Sequence, residues 1–383
     1  MLDIRLLKGE EFETAIRLAD NVFRSAGETS MGDAFPHVFS DSLRQSYGLF
    51  VKEMLVSFIG MVPSVIRIGK ARLNIYSIGA VCTHPEHRGK GYAGLILKEV
   101  IRHAQQAGAC ILLVSGAGEL YAREGCCRFG AISHYRLNAQ AAAGIHSSMI
   151  ESSDASLART VLREMNATDW FSLSELVGQR RIRFEQSLWD LSLLAHAQPL
   201  AAVTNMKQQI YVAEQEGSIV AFAAVGLPGS GKRQPYVIEY GGDEASIAML
   251  LAHAMKENEL EQLDIYDAEQ DNELAKMIHE AEHSVERNGG TVRIIDPKLL
   301  LTQAAPYLRS KHENWFNSLD LVPVDEGQIM VRYGDLQGKL SEAEVVQLFF
   351  DVNPLLPLTQ ELMERLYTLF PLPFPYTRGL NYV

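Results

Sequence analysis

Arg88-Gly89-Lys90-Gly91-Tyr92-Ala93 is the stretch whose residue types and spacing could do chemistry most directly. Its two glycines allow the chain to fold close to a ligand. Arg88 and Lys90 add positive charge. The strand-like run Leu73 to Val81 leads into the loop, and apolar residues at helical spacing follow it from about Gly91 to Ala107. A helix that starts here offers free N–H groups and the positive end of its dipole. Together these features suit a pyrophosphate. A short glycine motif alone is a basic surface turn. Its place between a strand and an amphipathic helix points to a phosphate-bearing ligand.

Two other stretches imitate known sites. His279-Glu280-Ala281-Glu282-His283 has the His-Glu-x-x-His spacing of a zinc protease helix. Charged Glu282 stands where such enzymes carry an apolar residue, so a solvated helix face and no catalytic metal are expected. Gly226-Leu227-Pro228-Gly229-Ser230-Gly231-Lys232-Arg233 nearly spells a P-loop. Arg233 stands where Ser or Thr must hold magnesium, and a strand follows. A flexible hairpin turn is expected there.

The elements that must position the glycine loop read as an α/β unit. Ile4–Leu7 is a strand and Glu10–Phe23 a helix. Leu49 to Val81 is a run of strands with a turn at Gly69-Lys70. Gly108 ends the helix after the loop, and Ala109–Ser115 is a buried-type strand. Glu119–Glu124 is a short helix, and Phe129–Leu137 closes a domain over 1–140. Residues 139–156, rich in Ala, Ser and Gly, read as a linker. A second unit over 155–290 has a helix at 183–191, a hairpin around Gln215-Glu216-Gly217-Ser218, a strand at Tyr236–Tyr240, a helix at Ser246–Glu257, a strand at Leu263–Tyr266 and a helix over Asn272–Glu286. This order echoes the first unit, so an internal repeat is expected. Residues 291–383 form a third, small α+β unit. It includes a strand at 292–295, a helix from Pro297, a capping box at Ser341–Glu344 and an extended Pro371–Tyr376 tail.

The bulk properties narrow the function classes. The chain has 383 residues, enough for two or three cores. Its net charge of -12 disfavours nucleic acid, whose phosphates need a basic surface, and is compatible with a cationic amine substrate. No apolar run is long enough for a membrane span, and Met1–Leu6 does not begin like a leader. Cys82, Cys110, Cys126 and Cys127 lack a paired-ligand spacing. Free thiols in a reducing cytoplasm are the expectation.

Val81 to Ala93 resembles motif A of the GNAT N-acetyltransferase superfamily, whose core pattern is Arg/Gln-x-x-Gly-x-Gly/Ala. The whole chain resembles the enhanced intracellular survival (Eis) type. That type implies tandem GNAT-like mixed-sheet domains followed by a small sterol-carrier-like α+β domain. The implied reaction is transfer of an acetyl group from acetyl-coenzyme A to a primary amine of a small molecule. A protein or peptide amine, or a non-catalytic acyl-coenzyme A sensor, are the rival readings. The resemblance implies that the backbone of Val81, Cys82 and Thr83 pairs with the pantetheine arm. Arg88, Gly89, Lys90, Gly91, Tyr92 and Ala93 would bind the pyrophosphate, and Gly94, Gly116 and Ala117 complete the cofactor contacts. Tyr121, in a Tyr-x-x-x-Gly stretch with Gly125, takes the place of the phenol that protonates the departing thiolate. Asn74–Gly79 offers no Glu or Asp as base. Relatives of the Eis type use the C-terminal carboxylate, which implies Val383 here; His84 is an alternative by pKa. Gly241-Gly242-Asp243-Glu244 stands where the second unit would carry the motif and lacks its cations, so that unit should not bind coenzyme A. No metal, nucleic acid or membrane partner is implied, and self-association is compatible.

Overall fold

In the computed structural model of the chain, residues 2–150, 157–229, 233–268, 273–325 and 327–383 are described. The first elements are β1 (Leu2–Leu6), α1 (Phe12–Phe23), α2 (Met31–Ala34), β2 (Tyr47–Val51), β3 (Met54–Ile68), β4 (Ala71–Thr83), α3 (Tyr92–Gln106), β5 (Ile111–Val114) and α4 (Glu119–Arg123). α1 buries Phe12, Ala15, Leu18 and Ala19, which recur on one face. α3 does the same with Ile96, Leu97, Val100 and Ala104. Gly108 adopts φ 75° just past the end of α3, the left-handed stop that a glycine supplies.

The chain continues through β6 (Ile132–Asn138), α5 (Ala139–Ile150), β7 (Val161–Glu164), α6 (Trp170–Gln179), β8 (Ile182–Phe184), α7 (Leu188–Ala197), α8 (Pro199–Thr204), β9 (Met206–Gln215), β10 (Ser218–Pro228), β11 (Tyr236–Gly242), α9 (Glu244–Glu257), β12 (Gln262–Asp267), α10 (Glu273–Met277) and β13 (Glu282–Glu286). It ends with β14 (Thr291–Ile294), α11 (Pro297–Phe316), β15 (Leu319–Asp325), β16 (Gln328–Tyr333), β17 (Leu336–Ser341), α12 (Glu342–Phe350) and α13 (Gln360–Tyr367). Among the described residues, no helix is long and apolar enough to cross a membrane.

Two compact units result. One holds Met1–Ala131, Arg287–Thr377 and Val383; the other holds Ile132–Glu286 and Arg378–Tyr382. The first unit's main sheet runs β1-β2-β3-β4-β5-β14. Every neighbouring pair is antiparallel except β4–β5. The second unit's sheet runs β7-β9-β10-β11-β12-β6 with β13 beyond, and again only one pair, β11–β12, is parallel. The expected repeat is therefore a repeat of strand order and direction, a tandem of mixed-sheet α/β folds.

The sixth strand of each sheet comes from outside that unit's own run. β6 follows the first unit's elements yet pairs with β12, and Tyr135 and Leu137 enter the second unit's core. β14 follows the second unit's elements yet pairs with β5, with Val292 fully buried. The compact units are thus drawn differently from the consecutive segments 1–140, 155–290 and 291–383. A strand can be exchanged in this way because its inward face needs a core and not a particular neighbour in sequence.

Three local expectations change. Residues 139–150 form a helix and not a linker, since alanine is the best helix former, and Ala141, Ala142 and Ile145 pack into the second core. Residues 151–156 lie outside the described residues. The expected helix at 183–191 is a short strand followed by α7, which starts at a Ser187–Asp190 capping box. The expected helix at 272–286 stops at Met277, and residues 282–286 are an exposed edge strand. His279 and His283 therefore do not share a helix face. In the P-loop-like stretch, β10 runs through Pro228, and residues 230–232 lie outside the described residues.

The C-terminal part of the first unit is a three-stranded antiparallel meander, β15-β16-β17, with α11 and α12 against it. The rings of Phe129, Phe350 and Phe374 meet edge to face, and Phe370 packs on Phe349. These rings hold the Pro-rich tail, which is neither helix nor strand. In the second unit, Leu380 is buried in the core beside Leu173, Phe222 and Ile238, and its N–H donates to Glu239.

β14 meets β5 under a tight constraint. Gly290 has φ 77°, and a Cβ there would collide with the Val114 carbonyl oxygen. Gly108 has a similar φ, yet nothing lies within 4 Å of its Cβ position. Gly290→Ala should therefore cost about 3 kcal/mol or more and Gly108→Ala about 1–2 kcal/mol, since only the first adds a steric clash to the left-handed strain. Urea unfolding of the two variants checks this; equal losses would show that the β5–β14 junction is not tight.

Candidate active site

The site begins with a parting of strands. β4 and β5 pair from Ile75↔Ile111 to Ile78↔Val114. β4 then continues to Thr83, while β5 ends. On its other side β4 stays paired with β3, but the register slips between Gly60↔Gly79 and Phe58↔Cys82, a bulge at which Ala80 takes φ 50°. A bulge re-aims the backbone next to it. From Gly79 to Thr83 the β5-facing edge of β4 has no strand partner among the described residues. Main-chain groups on this edge are open to a ligand, apart from the Thr83 carbonyl, which accepts from Arg88 Nε.

The glycine loop caps this cleft. Pro85–His87 make one tight turn, and Gly89 and Gly91 follow at φ 77° and 74°. Gly91 is the N-cap of α3, and no side chain caps the helix there. A Cβ at either glycine would meet nothing within 4 Å. Among the described residues the first N–H groups of α3 have no hydrogen-bond partner, as an anion site requires. Arg88 and Lys90 are exposed beside them; Arg88 Nε donates to the Thr83 carbonyl at 3.3 Å. The equivalent turn of the second unit is closed. Asp243 caps α9 by accepting from Ser246 N at 2.8 Å, and a Cβ on Gly242 would run into the Val220 carbonyl. The first turn leaves its helix start uncapped, and the second fills it with a carboxylate.

The remaining candidate residues fall into place around the cleft. Val81 and Thr83 are half-buried at its edge. The Cys82 side chain points into the protein, burial pushes its thiol up to about 12, and its carbonyl accepts from Ser57 Oγ at 3.1 Å. Tyr92, Ala93 and Gly94 form the first turn of α3. Gly116 and Ala117 follow β5, and the Tyr121 ring lies over Gly116: a Cβ there would be 2.8 Å from Cε2 of the ring. Gly116 in turn accepts from Thr291 Oγ1 at 2.9 Å. Val383 lies on Gly79, where a Cβ would collide with the Val383 carbonyl carbon and come 3.1 Å from its Cγ1. Tyr121 and Val383 thus lie at the two strands whose parting makes the cleft. His84 is five residues along the chain from Gly79, roughly 16 Å in extended backbone. Its Nδ1 is buried without a hydrogen-bond partner among the described residues.

Two supports were not apparent from sequence. Gly60 and Gly79 are paired, and Val38 packs against Gly60, so a patch of sheet bare of side chains is walled on one side. Only the glycines' spacing, 19 residues apart in two strands, could have signalled it. The other support is a polar network behind α3. Tyr76 donates to Gln45 Oε1 at 3.1 Å, so its oxygen accepts from His103 Nε2 at 3.3 Å. His103 Nδ1 is then the acceptor for the Tyr47 hydroxyl at 3.1 Å. This ties α3 to β2 and β4 through a neutral imidazole.

Burial holds the His103 pKa below the ordinary 6.5. Below that pH the unfolded chain takes up a proton that the folded chain resists. The stability His103 contributes is therefore complete above about pH 6.5 and is lost as pH falls toward the folded pKa. Thermal melts between pH 7.5 and 5 should show a steeper decline for the native protein than for His103→Gln; parallel curves would contradict the assignment.

Residues 3–128 match the family model of the acetyltransferase (GNAT) domain. No curated protein sequence matches the chain. Solved structures match over its length. A GCN5-related N-acetyltransferase from Kribbella flavida is 15% identical, with all of both chains covered and a TM-score of 0.66. Eis1 from Mycobacterium abscessus is 13% identical, covering 98% of this chain and 100% of that one, with a TM-score of 0.65. A GCN5-related N-acetyltransferase from Anabaena variabilis is 11% identical over 98% of each chain, with a TM-score of 0.64. These likenesses concern the fold, while the domain match concerns the N-terminal residues that build the cleft: the protein carries a GNAT acetyltransferase domain and is an acyltransferase.

Proposed function

We propose that this chain transfers the acetyl group of acetyl-coenzyme A to a primary amine of a small molecule, in an Eis-type arrangement. The observation that carries the reading is the pair Tyr121 and Val383, held at the two sides of the β4–β5 cleft below an open, uncapped helix start. The full-length likeness to Eis1 supports the Eis-type organisation, including the sterol-carrier-like reading of residues 291–383. The closed turn of the second unit supports a structural role for that unit.

In this reading the amides of residues 89–93, with Arg88 and Lys90, hold the pyrophosphate. The free edge of β4 at Val81 to Thr83 pairs with the pantetheine arm, with Gly94, Gly116 and Ala117 lining its path. The bulge turns a β4 amide toward the thioester carbonyl and stabilises the oxyanion. The amine must be neutral to attack. In a chain that ends at Val383, its α-carboxylate takes the proton from the attacking nitrogen. A C–N bond forms, the C–S bond breaks, and the Tyr121 hydroxyl gives its proton to the leaving sulfur. The net charge of -12 favours a cationic amine that is neutralised only at the site.

Three variants test the assignment. Asp tolerates the left-handed backbone better than most residues, so Gly91→Asp should fold. It places a carboxylate at the anion site and should weaken coenzyme A binding at least ~100-fold by calorimetry, through charge repulsion; unchanged affinity would remove the loop from the cofactor site. Tyr121→Phe should lower kcat by about two to four orders of magnitude with the acetyl-coenzyme A KM retained, the usual worth of a general acid. Adding three glycines after Val383 moves the carboxylate away and should cost a comparable factor. Full activity in the extended protein would leave Tyr121 with a base other than Val383. Screening aminoglycosides, polyamines, amino acids and peptides identifies the acceptor class.

A further inference from the structure

Tyr121 sits on α4, which is only five residues long. A helix of that length does not hold itself in water, so its place is set by what grips it. Within the segment, the Tyr121 carbonyl accepts from Glu124 N at 3.1 Å and from Cys126 N at 3.0 Å. The Glu124 carbonyl would be left over at the end of this turn. It accepts instead from Nη1 of Arg293, a residue of β14 that lies 169 positions along the chain.

Among the described residues, this is the one hydrogen bond that the Arg293 guanidinium donates. Its side chain is only 22% exposed, and Nη2 lies 3.5 Å from Glu342 Oε2, which holds the charge beside the turn. Gly125 makes the room. It has φ 77°, and a Cβ there would come 3.0 Å from Glu342 Oε2 and 3.4 Å from Arg293 Nη1. A cation that donates to a carbonyl at a helix end makes a charge-assisted bond, stronger than a neutral one.

The other end of the segment is tied to the same strand. Thr291 Oγ1 donates to the carbonyl of Gly116, over which the Tyr121 ring lies. Val292 and Cys127 exchange main-chain hydrogen bonds of 2.8 and 2.9 Å. β14 thus holds residues 116–127 at both ends, and Arg293 is its hold on the turn that carries Tyr121. All of these residues belong to one compact unit.

We propose that Arg293 is a positioning residue for acetyl transfer: through the Glu124 carbonyl it fixes the turn that presents the Tyr121 phenol to the departing sulfur. The inference rests on the acid role of Tyr121 argued above and is independent of the base. Arg293 acts through α4, not on the cofactor or the amine.

The test is a double-mutant cycle on the full chain, with acetyl-coenzyme A and, as acceptors, an aminoglycoside and a polyamine. Arg293→Met removes the donor and keeps most of the packing. It should lower kcat roughly 10- to 100-fold, the cost of a misplaced general acid, with the acetyl-coenzyme A KM within about twofold. Calorimetric binding of coenzyme A shows that the variant is folded; if it does not bind, Arg293→Gln, smaller and still polar, takes its place in the cycle. The contact is neither bidentate nor stacked, so Arg293→Lys, which keeps a cationic donor, should return turnover to within about fivefold of native. In Tyr121→Phe, removing the donor should cause no further loss, because the acid has already gone. Full turnover without the donor, a loss confined to KM, no recovery in Arg293→Lys, or an additive loss in Tyr121→Phe overturns the inference while leaving Tyr121 as acid. If Tyr121→Phe alone costs nothing, the acid role falls and this inference falls with it, before any Arg293 variant is read.

Discussion

The parting of β4 from β5 after Ile78 and Val114 is the constraint on which the rest of the site depends. Two parallel strands that stay paired leave no main-chain groups for a ligand. Here the bulge at Ala80 re-aims β4 where its partner stops, and β14 takes the other edge of β5. β5 is thus held firmly on one side and released on the other. The cleft is stable because hydrogen bonds lost at its mouth are replaced around it: β4 keeps β3 as far as Thr83, and Thr291 satisfies the carbonyl of Gly116 just past β5.

The two units show how little separates an open helix start from a capped one. Both sheets run in the same order, and both place a helix after the strand that precedes their parallel partner. In the first, the helix starts at Gly91, uncapped, with positive charge nearby. In the second, Asp243 occupies its own helix start and Glu244 follows, so negative charge stands where an anion would have to go. A capping carboxylate stabilises a helix by about 1 kcal/mol and removes the phosphate site in the same stroke. The first unit forgoes that stabilisation, which is the usual mark of a site kept open for a ligand.

Local features of this fold were legible because their causes are local. The glycine loop, the Gly108 stop and the capping box at Ser341 follow from backbone sterics and near-neighbour hydrogen bonds, and the structure shows each. What failed involved partners distant in sequence. Nothing within Ile132–Asn138 says that it will pair with β12 and not close the first sheet. Ala139–Ile150 has a linker's composition and a helix's propensity, and packing decided. Glu282–Glu286 is exposed throughout, so periodicity had no core to report. In the site the same division holds. Arg88 to Ala93 read as an anion loop only with the strand before them and the helix after them, all within one continuous stretch. Val383 entered only through a family resemblance.

The seat of Val383 shows why the distant parts matter most. A residue laid on a sheet must approach the backbone closely, and a side chain at the contact would hold it off. Gly79 provides the bare position, Gly60 is its bare cross-strand partner, and Val38 closes the space against Gly60. The seat is therefore a shape made by three segments before the tail arrives. It can receive only a chain delivered in one register, since a shift of one residue moves the end by about 3.3 Å. Gly60, Gly79 and Val383 belong to one compact unit although the other unit interrupts it in sequence. Whatever chemistry Val383 performs, its place depends on segments far apart in sequence, whereas the glycine loop is built from a single continuous stretch.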